Sequence, residues 1–86
     1  MIPRSDVMSD IDAPSYLIVI ERADDGGYGA WAPDLPGCVA LGGSVEECEH
    51  EMREAIAFHL EGLREQGLPV PPPTAIAAVM LTTPAA

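Results

Sequence analysis

Four carboxylates, Glu21, Asp24, Asp25 and Asp34, are the residue types that could hold two metal ions for phosphoryl transfer. Their setting argues against it. Asp24 and Asp25 precede Gly26-Gly27, where Asp is favoured for turn geometry, and Asp34 lies in the proline-flanked run Pro33-Asp34-Leu35-Pro36. Nothing in the spacing converges these groups, so metal-dependent catalysis is not expected. Cys38, Cys48, His50 and His59 form the other chemically suggestive set, but they lack the CxxC or HxxxH spacing of a zinc site. Cys48 falls near the start of a helical pattern, a position that lowers a thiol pKa when exposed, yet it sits on the apolar stripe and reads as buried. His59 lies beside the same stripe and reads as a core-edge group or a partner contact, while His50 lies near the acidic face and reads as solvated. The expectation is no catalytic residue, no metal and no cofactor.

The elements that position these residues are legible in turn. Tyr16 to Ile20 (YLIVI) has the β-branched pattern of a strand buried on two sides. Asp24-Asp25-Gly26-Gly27 supplies a hairpin turn, Tyr28 to Ala32 a second strand, and Pro33 to Gly37 a rigid loop. A short third strand follows at Cys38 to Leu41. Ser44-Val45-Glu46-Glu47 is a capping box, in which the Ser44 hydroxyl accepts from the Glu47 amide and the Glu47 carboxylate returns to the Ser44 amide. From there Val45, Cys48, Met52, Ile56 and Leu63, widened by Ala55 and Leu60, recur at helical spacing until Gly67 offers a C-cap. Glu46, Glu47 and Glu49 suit the positive end of the helix dipole, and Glu49 with Arg53 is a favourable i,i+4 pair. Leu68 to Pro73 (LPVPPP) must run extended, and Ala75 to Thr82 (AIAAVMLT) reads as a fourth strand, apolar on both faces. Residues 1–14 show neither period and read as a flexible leader, with Met8 an alternative start. Residues 15–86 then form a single domain, with no separate DNA-binding domain.

The chain has 86 residues, room for one core, and a fold of this size buries too little surface to be more than marginally stable alone. Fourteen acidic residues face four arginines and no lysine, giving a formal net charge of -10. Arg4, Arg22, Arg53 and Arg64 are scattered, so direct nucleic-acid binding is not expected. The acidic balance instead suits a basic partner. No apolar run approaches the roughly 20 residues that span a bilayer, and no secretory signal pattern opens the chain, so the expected compartment is the cytoplasm and no membrane is involved.

Taken in order, YLIVIE, DDGGYGAWAPDLPGC, GGSVEECEHEMREAIAFHLEGLREQGLPVPPP and a short apolar tail resemble the HicB-like family of bacterial antitoxins over about residues 16 to 74. The resemblance implies a partial ribonuclease-H-like fold, β-β-β-α-β, and binding to HicA-type toxins, small basic ribonucleases that cut mRNA with a catalytic histidine. Many members also carry a C-terminal DNA-binding domain. Only twelve residues follow Thr74 here, so autorepression is not expected of this chain.

The fold class expected is therefore α+β, a two-layer sheet carrying one helix. One helix covers one face of a sheet, and strands apolar on both faces require a second cover, from a homo-oligomer or a partner protein. Tyr28 and Trp31 stand on opposite faces of the second strand, so one packs on the helix and the other marks the open face. Phe58 lies away from the centre of the helix stripe. Glu54 and Glu61 belong to the helix's seven glutamates, most simply a solubilising face. Tyr28, Trp31, Phe58, Glu54 and Glu61 are the expected partner-binding residues. The leading reading is an antitoxin that occludes the RNA-binding surface of a HicA-type toxin. The alternatives are a stand-alone homo-oligomeric regulatory protein with no toxin partner, and a ribonuclease-H-like metal-dependent nuclease.

Overall fold

The computed structural model describes residues 14–84; the expected leader, Met8 included, lies outside the described residues apart from Pro14. Three antiparallel strands, β1 (Val19–Arg22), β2 (Tyr28–Ala32) and β3 (Leu35–Gly42), form a sheet in the order β1-β2-β3, and one helix, α1 (Val45–Glu65), packs across it. The two-layer α+β architecture is the one expected.

The β1-β2 turn closes where the Asp and Gly residues require it. Ala23 and Gly27 pair through their main chains, Gly26 takes the left-handed φ of +91°, and the Asp25 carboxylate accepts from the Gly27 amide at 2.9 Å. β1 begins three residues later than the YLIVI pattern suggests, because a ladder needs an opposite strand. Val19 to Arg22 face Trp31 to Tyr28, whereas Tyr16 and Leu17 lie beyond the point where β2 gives way to the Pro33-Asp34 turn, and Ile18 is level only with Ala32, the last residue of β2. β3 instead begins earlier than expected. Leu35 pairs with Ala32, but Val39 pairs with Trp31, so Pro36, Gly37 and Cys38 form an irregularity with Gly37 at φ +85°. Proline has no N–H to lose from the ladder, and the bulge turns both Leu35 and Cys38 into the core.

α1 starts at Ser44, whose side chain accepts from the Glu47 amide at 3.1 Å. The reciprocal half of the capping box differs from expectation, since the Glu47 carboxylate accepts from the Gly43 amide, one residue earlier. The other end closes as a Schellman motif: Leu68 N–H donates to the Leu63 carbonyl, Gly67 N–H to the Arg64 carbonyl, and Gly67 has φ +70°.

The core joins Ala30, Ala32, Leu35 and Cys38 of the sheet to Cys48, Met52 and Leu60 of the helix, with Ile18, Ile20, Tyr28, Ile56 and Leu63 half-buried around them. The small residues of the sheet allow the helix to come close. A Cβ on Gly42 would stand 2.8 Å from the Cys48 main-chain nitrogen. Val45, in the first turn, stays exposed.

The connector after α1 runs extended, as the prolines demand, and is held at two points. The Tyr16 hydroxyl donates to the Pro71 carbonyl at 2.5 Å, and the Asp34 carboxylate accepts from the Thr74 amide, the Thr74 hydroxyl and the Ala75 amide at 2.8, 2.6 and 2.9 Å. The expected fourth strand does not form. A strand exists only where a neighbour takes its hydrogen bonds, and Ala75 to Thr82 pairs with neither free edge of its own sheet.

Candidate functional site

Alternation along the strands decides what each face presents. Ala30 and Ala32 are buried under the helix, so Tyr28, two residues earlier, also faces inward and packs on the core. Trp31 faces the other way. It stands in a cross-strand row between Val19 of β1 and Val39 of β3, and Leu41 follows two residues along β3. The helix covers none of this face: Trp31 is 39%, Val39 63% and Leu41 76% exposed.

The apolar strip continues around the outer edge of β3. Cys38, Val39, Phe58, His59 and Leu63 line a hollow of about 390 Å³ between that edge and α1. Val39 thus belongs to both surfaces. Phe58 is 78% exposed, and Glu54 and Glu61 lie on its own side of the helix, at i-4 and i+3. The structure therefore places Phe58, Glu54 and Glu61 on one helix face, with Trp31 reached through Val39, and separates Tyr28 from them. Val19, Val39 and Leu41 were not singled out from sequence. The signal was present in β3, where inward Cys38 and Ala40 alternate with Val39 and Leu41.

The chemically suggestive groups fall apart as sites. Asp25 caps its turn and Asp34 pins the connector, and those three hydrogen bonds, led by the Thr74 hydroxyl, hold the Asp34 carboxyl below the usual aspartate range. Burial raises the pKa of the Tyr16 phenol, with the Asp34 charge adding to it. Cys38 and Cys48 are buried free thiols, and burial pushes the Cys38 thiol up, away from the reactive thiolate. Half-buried His59 lines the β3 hollow. His50 Nε2 lies 3.5 Å from the Glu54 carboxylate, and with Glu51 they are the one group of at least three His, Cys, Asp or Glu side chains within metal-holding reach among the described residues. All three are exposed, as acidic helix surfaces commonly are. No helix among the described residues is long and apolar enough to cross a membrane.

The described residues thus build a three-stranded antiparallel sheet under one acidic helix, with an open apolar face around Trp31, Val39 and Leu41. Residues 16–85 match the family described as HicB_like antitoxin of bacterial toxin-antitoxin system, and the chain belongs to that family, one of antitoxins and not of enzymes. Among solved structures, the N-terminal domain of the Burkholderia pseudomallei antitoxin HicB is 36% identical with a TM-score of 0.57, covering 62% of each chain. A chain from a HicA3 and HicB3 toxin-antitoxin complex is 33% identical with a TM-score of 0.61, covering 70% of each. Among proteins, an uncharacterized 14.9 kDa protein of Haemophilus phage HP1 is 41% identical over 56 residues. That match covers 65% of this chain but 41% of the phage protein. A UPF0150 protein of Synechocystis is 39% identical over 57 residues, 66% of this chain and 72% of its own.

Proposed function

We propose that this chain is a cytoplasmic antitoxin that binds a HicA-type toxin, a small basic mRNA-cleaving ribonuclease, and blocks the surface that receives RNA. The observation that carries the reading is the exposed apolar edge at β3, where Val39 and Phe58 meet and Glu54 and Glu61 flank the ring. An aromatic anchor inside a charged rim is how protein interfaces concentrate affinity, and the net charge of -10 draws a basic partner to it at long range. The family membership and the complex formed by the HicB3 relative support the same partner class.

The test asks whether a small basic ribonuclease is encoded beside this gene and co-expresses the two; the lack of such a gene would count against the proposal. Restored growth of toxin-arrested cells is the expected result. Growth arrest that persists despite abundant folded antitoxin overturns the proposal.

A further inference from the structure

We infer that the apolar tail, Ala75–Thr82, completes the sheet of a second copy of this chain by adding to the free edge of its β1, and that the two copies exchange tails reciprocally. The tail is presented for capture. Ile76, Val79, Met80 and Leu81 are 74 to 99% exposed, and the segment is extended yet pairs with no strand among the described residues. Its root does not swing freely, because Asp34 grips Thr74 and Ala75 and Tyr16 grips Pro71. A stiff polyproline connector and a pinned root lower the ordering cost of docking.

The receiving edge has the matching shape. The outer side of β1 has no neighbour among the described residues, so its backbone groups are available to a strand. Beneath that edge lies an open hollow of about 510 Å³, lined on its apolar side by Tyr16, Ile18, Ile20, Met52 and Ile56. A strand laid along β1 sends alternate side chains into this hollow and the others onto the open face beside Val19 and Trp31. Both of its faces are then buried, which is what the non-alternating sequence AIAAVML suits. Eight extended residues reach about 26 Å, comparable with the run from Ser15 to Arg22.

Charge selects a second copy as the occupant. From Gln66 onward the chain has no Asp, Glu, Lys, Arg or His, so the tail is the surface with which one acidic molecule can approach another without repulsion. The charged groups at the rim of the hollow, Glu49 and Arg53, already pair with each other at 3.2 Å. Twofold exchange satisfies both tails and both edges at once. It leaves the β3 edge and Phe58 free, so this inference does not rest on the proposed toxin contact.

Two measurements on the full chain test it. Sedimentation equilibrium is expected to give at least twice the chain mass for the wild type and a monomer for Val79→Asp/Leu81→Asp, with unchanged far-UV circular dichroism because both side chains lie outside the chain's own core. A monomeric wild type, or an assembly that survives the double substitution, overturns the inference. In a mixture of isotopically labelled and unlabelled copies, photo-reactive benzoylphenylalanine in place of Met80 is expected to crosslink between copies, onto peptides containing Ile18–Arg22 or Met52–Ile56. Crosslinks confined within one copy, or landing on β3 of the other, contradict it.

Discussion

Replacing Gly42 with alanine tests how the helix is seated on the sheet. The added Cβ would stand 2.8 Å from the Cys48 nitrogen and 3.2 Å from the Cys48 Cα and the Glu47 carbonyl carbon. Ordinary contact begins at 3.4 Å, a shortfall of about 0.6 Å against main-chain atoms that cannot rotate aside. Relief requires the first turns of α1 to lift, which loosens Cys48 and Met52, both fully buried. Overpacking of this kind costs about 1 to 3 kcal/mol, and the stiffer unfolded chain returns about 0.4 to 1 kcal/mol. A net loss of about 1 to 2 kcal/mol lowers the melting temperature of a domain this size by about 5 to 15 °C. Gly62→Ala is the control, since nothing lies within 4 Å of its Cβ and the position is inside the helix. There the same chemical change stabilises by about 0.5 to 1 kcal/mol. Thermal unfolding followed by circular dichroism, at one protein concentration, reads both. A Gly42→Ala protein melting within about 2 °C of wild type would refute the close seating.

Other expectations follow from the same contacts. Ser44→Ala removes the acceptor of the Glu47 amide and is expected to cost about 1 kcal/mol by urea unfolding; no change in the midpoint would show that the cap contributes nothing. The Asp34 pKa is lowered, so its hold on the connector is complete above the ordinary aspartate pKa and is lost as pH falls through the lowered folded-state value. The Thr74 and Ala75 amide resonances should therefore titrate with a midpoint below that of a free aspartate, and Asp34→Asn should abolish the step. Phe58→Asp or Trp31→Ala is expected to weaken toxin binding at least about tenfold, as loss of an aromatic anchor does. Tyr28→Phe, which alters a residue facing the helix, should leave the affinity unchanged, and calorimetric titration distinguishes the three.

What the sequence makes legible here is local. Ser44, the apolar spacing to Leu63 and Gly67 define α1 within a residue or two, because capping and helical period are encoded within one turn. β2 is bounded by the glycine turn and Pro33, and the three-residue separation of Tyr28 and Trp31 already puts them on opposite faces. The features missed depend on partners distant in sequence. β1 shifts because its ladder is set by β2, and β3 starts early because of a bulge that only the register with Trp31 defines. Asp34, met first as a possible metal ligand, serves as an anchor for Thr74 forty residues away. The pattern of Ala75 to Thr82 is that of a two-sided strand, but pattern alone does not say whose sheet it joins.

The proposed toxin-neutralising role is tested most directly by titrating the purified chain into an mRNA-cleavage assay with a HicA-type ribonuclease from the same genome. Cleavage that falls to background near stoichiometric antitoxin, and that Phe58→Asp restores, is the result predicted. Cleavage unaffected by an excess of the folded wild-type chain would contradict it.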